Sequence, residues 1–216
     1  MSSARDEILG ALRRRAERGP DNAAAARDHV ECTISQPRCG PRPAMPDDLV
    51  ALFIERAQAM ISTVDLCPDP AQVPVRCAHW LRGQGLPLDP VVAPSLANLN
   101  WRGAGLEVRI GAAGGGDRVG VTGCFRAIAE TCTLMLCSGP DSPAVNSLLP
   151  ETHVAVVPRA HIVADMEAAW HAARTELAVW PRAVNFISGP SRTADIEQTL
   201  VLGAHGPCRV HLLVVG

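Results

Sequence analysis

The stretch Val184-Asn-Phe-Ile-Ser-Gly-Pro-Ser-Arg-Thr-Ala-Asp-Ile-Glu-Gln-Thr-Leu200 decides how this chain is put together. Residues 184–187 have the apolar, aromatic and β-branched content of a short strand. Gly189 permits close backbone approach, Pro190 stiffens the turn, and Ser191 or Thr193 can cap a helix over 193–200. Strand, tight loop and helix in that order make half of a βαβ unit, and the same alternation extends outward. Apolar runs at 62–66, 91–93, 106–110, 119–121, 133–137, 154–157 and 210–215 read as strands, and helical patterns at 73–82 and 162–176 lie between some of them. The alternation predicts an α/β fold with a mostly parallel central sheet and helices on both faces.

The first 45 residues follow another pattern. Ser2 or Ser3 can cap a helix in which Ile8, Leu9 and Leu12 share one stripe, with Arg13 to Arg18 near its end, until Gly19-Pro20 stops it. Residues 21–45 mix Ala, Pro, Arg and Cys without sustained period and are expected to be a linker or poorly ordered arm. The division is therefore 1–45, an N-terminal helix with a Pro/Ala-rich linker, and 46–216, an α/β domain. Pro46 suits the first turn of a second helix whose Leu49, Phe53, Ala57 and Met60 form an apolar face.

Composition excludes several chemistries. Lys is absent, so no lysine can reach a nucleotide phosphate in a Walker loop or hold pyridoxal phosphate as a Schiff base. Tyr is absent, Phe and Trp are few, and the net charge is −2, which disfavours nucleic acid as a partner. Eight cysteines occur without a C-x-x-C pair, so no zinc ribbon or ferredoxin-type cluster is written, and reduced, mostly buried thiols are expected. Gly114-Gly-Gly-Asp117 is followed by another strand-like run, which favours a hairpin turn over a phosphate cradle. No apolar stretch approaches the ~20 residues needed to span a bilayer, and no secretory or transit signal opens the chain. A cytoplasmic protein is expected.

Three stretches gather small, polar and ionisable residues at predicted strand ends. In Val121-Thr-Gly-Cys-Phe-Arg-Ala-Ile-Ala-Glu-Thr-Cys-Thr-Leu-Met-Leu136, Thr122 can cap a short helix and the chain re-enters the sheet near Thr131. Glu130 then sits at a helix-to-strand junction, either held there by hydrogen bonds or available as a base or nucleophile. In the second stretch, Ser188, Gly189, Ser191, Arg192, Thr193 and Asp195 form a loop beyond a strand end, suited to an anion held by helix amides and a guanidinium. In the third, Leu202-Gly-Ala-His-Gly-Pro207, Gly203 and Gly206 clear space around His205 for proton transfer. His211 lies in an apolar strand and is read as a core or edge histidine; His153 and His161 show no metal-ligand spacing.

With the segment from Ser147 to Pro158 between them, these stretches resemble the lactate-utilisation protein C family, also described as the LUD domain. The likeness runs from about Asp48 to Gly216 and is carried most specifically by Ser188-Gly-Pro-Ser-Arg-Thr-Ala-Asp-Ile-Glu197 and Gly203-Ala-His-Gly-Pro207. The resemblance implies a fold like that of CoA transferases and ribose-phosphate isomerases. It also implies a non-redox or accessory role beside iron–sulfur subunits that oxidise lactate to pyruvate, with the clusters in the partners and no cofactor in this chain. A small anionic ligand and a homodimer are compatible with it. The alternative is a stand-alone CoA-transferase-like or isomerase-like enzyme acting on a small anionic substrate, with Glu130 and His205 as catalytic candidates and Thr122 and Thr131 among the ligand-binding ones. Two positions depart from the family's pattern: Cys132 stands where Ala-Glu-Thr is ordinarily followed by Gly, and Cys124-Phe125 replaces a small residue followed by an acid.

Overall fold

The computed structural model describes residues 4–15, 20–36, 40–41, 43–193 and 201–216. The chain divides into two compact units, 1–44 and 45–216.

The first unit contains α1 (Ala4–Arg15) and α2 (Pro20–Ser35). Asp6 and Glu7 in the first turn of α1 and Arg13 to Arg15 in its last complement the helix dipole. The arm expected at 21–45 is helical through Ser35. Ala23 to Ala26 supply high helix propensity, and Pro20, expected to end one helix, is the first residue of the next, where its missing N–H costs nothing.

The second unit begins with α3 (Leu49–Ala59), capped by Asp48, whose Oδ1 accepts from the Val50 and Ala51 amides at 3.1 and 2.9 Å. Pro46 lies before this cap rather than in the first turn. Next come β1 (Thr63–Cys67), α4 (Val73–Gly83), β2 (Val91–Val92), β3 (Arg109–Ile110), β4 (Val119–Thr122), β5 (Arg126–Ile128), β6 (Thr133–Cys137), β7 (Thr152–Pro158) and β8 (Ile162–Val163). The chain continues through α5 (Met166–Glu176), β9 (Val184–Ile187), β10 (Arg192–Thr193), β11 (Val201–Leu202) and β12 (Arg209–Val215). Six strands form a central, wholly parallel sheet in the order β1-β12-β7-β4-β2-β3.

Both faces of this sheet are buried, which is why β7 and β12 read as continuous apolar runs. On one face, Val154, Val156, Leu213 and Val215 pack with Val73, Cys77, Ala78 and Leu81 of α4 and with Trp101 and Leu106. On the other, the alternate residues Ala155, Val157, Leu212 and Val214 meet Phe53 and Ala57 of α3. Helices thus lie on both faces, but α3 shares its face with a second sheet, β8-β5-β6-β9, through Ala127, Ala129, Leu134 and Leu136. That sheet's outer side is covered by Ala169 and Ala173 of α5 against Ile128 and Met135.

Several local expectations change. The short helix expected after Thr122 is absent: 126–128 is strand β5, and Thr122 is the last residue of β4. The helix expected over 162–176 starts at Met166, capped by Asp165, because 162–163 pairs with β5. The hairpin at 114–117 is not formed, since β3 and β4 flank β2 and each runs parallel to it. Thr193 is paired in a strand rather than starting a helix, and the rest of the helix expected there lies outside the described residues. Among the described residues, no helix is long and apolar enough to cross a membrane.

Candidate functional site

Ser188 ends the run of β9, and the chain then turns through Gly189 at φ +72°. A Cβ at Gly189 would fall 2.9 Å from the Met60 carbonyl oxygen, so glycine is needed both for the left-handed backbone and for the close approach. Beyond the turn, Ser191 binds the second glycine-rich loop three times. Its amide donates to the Pro207 carbonyl at 2.8 Å, its carbonyl accepts from Gly203 N–H at 2.9 Å, and its Oγ accepts from His205 N–H at 3.3 Å. The antiparallel pair β10–β11, with Arg192 opposite Leu202 and Thr193 opposite Val201, closes the two segments together. Gly203, at φ +83°, could not carry a Cβ without meeting Cys208 at 2.8 Å, and Gly206 lies against Ser191. Arg192 is exposed and donates from Nη2 to Met60 O at 2.6 Å, while His205 is exposed at the loop's tip.

A third segment joins through hydroxyl groups. Thr131 Oγ1 lies 2.7 Å from Thr133 Oγ1, which lies 2.6 Å from Ser188 Oγ. Thr133 is buried; Thr131 and Ser188 are exposed. Glu130 is half-buried and sits in the turn of the β5–β6 hairpin rather than at a helix-to-strand junction, with its amide held by Ala164 O at 3.0 Å. The last turn residue, Cys132, takes φ +48° and is only 2% exposed. That backbone conformation gives a physical reason for a glycine at this position, and the burial makes the thiol a packing group.

The structure therefore brings Thr131, Ser188, Gly189, Ser191, Arg192, Thr193, Gly203, His205 and Gly206 into one hydrogen-bonded loop cluster, with Glu130 adjoining Thr131. Asp195 lies outside the described residues. Thr122 is elsewhere. Its Oγ1 pairs with buried His153 Nε2 at 2.8 Å, and it lines a small cavity with Cys137 and Asn185. Along β6, paired antiparallel with β9, Thr133 marks the loop-cluster end and Cys137 the Thr122 end, roughly 13 Å apart at strand rise. The cluster also departs from the expected carboxyl-end rule. It lies at the carboxyl end of β9, but Met60 and Ser62 precede β1 and Pro207 and Cys208 precede β12, so it occupies the amino side of the central sheet there.

Sequence reasoning missed Thr133 and the Met60 carbonyl. Thr133 had a usable signal, since i and i+2 residues of an extended segment share a face and Thr131 was already marked. Met60 had none, because a backbone carbonyl does not show in residue type.

Two buried histidines complete the polar inventory. His153 and His211 are both 0% exposed, and desolvation lowers each pKa to about 4. His211 Nδ1 pairs with Thr63 Oγ1 at 2.8 Å and its ring stacks on Trp80 at 4.3 Å between centroids, with Asp65 nearby partly opposing the shift. Burial pushes the Cys77, Cys124 and Cys132 thiols up to about 12. Among the described residues, no group of three or more His, Cys, Asp or Glu side chains could hold a metal ion.

These features define an α/β protein with a parallel central sheet backed by a second sheet and a glycine-rich loop cluster where three segments meet. Residues 117–215 match the LUD domain family model. It is 40% identical over 100 residues to lactate utilization protein C of Bacillus licheniformis and, to the same extent, to that of Bacillus subtilis, covering 45% of this chain and 42% of each relative. The protein of the same name from Shouchella clausii is 41% identical over 99 residues, 45% of this chain and 43% of that relative. The matched stretch thus spans well under half of these relatives. A crystal structure of a DUF162 family protein from Deinococcus radiodurans superposes with a TM-score of 0.59 at 22% identity, covering 81% of this chain and 100% of that one, and shows a shared fold.

Proposed function

We propose that this chain serves in lactate utilisation as a non-redox component of a cytoplasmic system whose iron–sulfur partners oxidise lactate to pyruvate, its loop cluster binding a small anion. The observation that carries the reading is the LUD match over 117–215, which contains every member of the cluster except Met60, together with 40% identity to proteins named for lactate utilisation. Glycines that clear space, an exposed guanidinium and an exposed imidazole suit recognition of a carboxylate more than redox chemistry.

Deleting the gene and scoring growth on lactate as sole carbon source tests the role. Growth is expected to fail, to return with the wild-type gene, and not to return with Arg192→Ala or His205→Ala variants that remain folded. A tagged chain is expected to co-purify with iron–sulfur proteins while holding no iron itself. Normal growth of the deletion strain, or a stoichiometric cluster in the isolated chain, refutes the proposal. Turnover of an acyl-CoA or a sugar phosphate by the isolated chain would replace it with a stand-alone transferase or isomerase.

A further inference from the structure

The sequence has three Phe and four Trp, and four of these seven rings, Phe125, Trp170, Trp180 and Phe186, gather on the outer side of the second sheet and on α5 above it. The core of that layer is thin, its buried residues being Ile128, Met135, Ala169 and Ala173. Trp170 packs against Phe186 at 5.6 Å and against Trp180 at 6.3 Å between ring centroids. The stack ends in the open, with Trp180 54% and Val179 83% exposed. Aromatic side chains left half in water beside a thin core are the composition of a contact surface, where Trp and Phe are enriched.

The layer borders a free strand edge. β9 is the last strand of its sheet and pairs with β6 alone. Ser138 N–H donates to Ala183 O at 2.9 Å, and in the same antiparallel register the hydrogen-bonded pairs recur every second residue, at Leu136–Asn185 and Leu134–Ile187. The N–H and C=O groups of Val184 and Phe186 therefore point away from β6, where no backbone group among the described residues meets them. The two sheets have three other end strands: β1 carries Asp65, β3 carries Arg109, and β8 is two residues long. Residues 183–191 carry no charge. Charge and brevity keep sheet edges from pairing with other chains, and β9 has less of either than the rest. We infer that β9 is a dimer edge, at which two copies of this chain pair antiparallel about a twofold axis at Phe186 and join their four-stranded sheets into one. Phe186 then exchanges both backbone hydrogen bonds with Phe186 of the other copy, and Val184 with Ser188. A second copy is the occupant because the edge matches itself. No charge opposes a like charge, Pro181 and Pro190 bracket the same length of strand on both sides, and the axis keeps the outer faces together so that the two aromatic layers adjoin. The inference does not depend on the role proposed above.

The test combines analytical ultracentrifugation of the full chain, up to millimolar concentration, with hydrogen exchange of single amides followed by NMR. The wild type is expected to reach twice the mass of one chain. The Val184 and Phe186 amides, unpartnered in a single copy, are expected to exchange at least about tenfold more slowly as the dimer forms. Val184→Pro removes one outward N–H and leaves the bonds to β6, a substitution suited to an edge strand. It is expected to raise the dissociation constant of the dimer by about tenfold, the size of one hydrogen bond. Trp180→Glu, at an exposed position, sets a carboxylate in each aromatic layer and is expected to weaken the dimer at least as much. Circular dichroism of each variant at high dilution reports whether it folds, and if Val184→Pro does not, Trp180→Glu and the exchange data decide. A chain that stays monomeric, a dimer in which the Val184 and Phe186 amides exchange as fast as in the monomer, or a dimer as tight in the folded variants as in the wild type overturns the inference.

Discussion

Acidification from pH 7 to pH 5 should destabilise this protein through two histidines, well above the range where ordinary carboxylates titrate. His153 has Thr122 on Nε2 and no partner on Nδ1; His211 has Thr63 on Nδ1 and no hydrogen-bond partner on Nε2, which lies 3.9 Å from Asp65. A second proton on either ring would enter a buried site without a hydrogen-bond acceptor, which is why both pKa values fall from 6.5 to about 4. The unfolded chain takes these protons near pH 6.5 and the folded chain only near pH 4. Between those values the unfolded state binds more protons, so stability is complete above about pH 6.5 and declines as the pH drops toward 4. At pH 5 the loss is about 2 kcal/mol for each histidine, or about 4 kcal/mol for the pair. That is a large share of the roughly 5–15 kcal/mol typical of a folded domain. Urea unfolding at a series of pH values from 7.5 to 5 measures it directly. His153→Gln and His211→Gln, which cannot take up the proton, are each expected to remove about half of the slope. A stability that stays flat across this window, or a slope that persists in the double variant, would show that the reasoning is wrong.

Other perturbations test the loop cluster and its supports. Cys132→Gly is expected to be more stable than Cys132→Ala by about 1 kcal/mol, reversing the usual order, because only glycine relieves the φ +48° backbone; thermal melts of the pair decide it. Gly189→Ala should cost at least 2 kcal/mol and displace residues 188–193, since the new methyl would press on Met60 O in a left-handed turn; a wild-type melting curve would count against this packing. With a disulfide thiol reagent, exposed Cys32 is expected to react first and Cys77 and Cys132 only on unfolding, because burial holds both as thiols. Peptide mapping of the labelled sites checks that order.

The sequence by itself determined the α/β class, the strands it placed at 62–66, 133–137, 154–157 and 210–215, each within one or two residues of those observed at either end, and helix α4, because their apolar content over several residues leaves one economical way to bury them. It also marked the glycine-rich segments around Ser188 and His205, where residue type limits what the backbone can do. It could not separate the second sheet from the first. Arg126–Ile128, Ile162–Val163 and Arg192–Thr193 are too short to show a period, and become strands only because a neighbour offers its unpaired backbone. Nor could it exclude Thr122 from the cluster, since that depended on which end of β4 faces the loops. Tertiary structure alone put Ser191 against His205, Thr133 against Ser188 and Arg192 on the Met60 carbonyl. In the last two pairs, residues 55 positions apart or more meet through the packing of two sheets and the loops between them, and no local pattern encodes that distance.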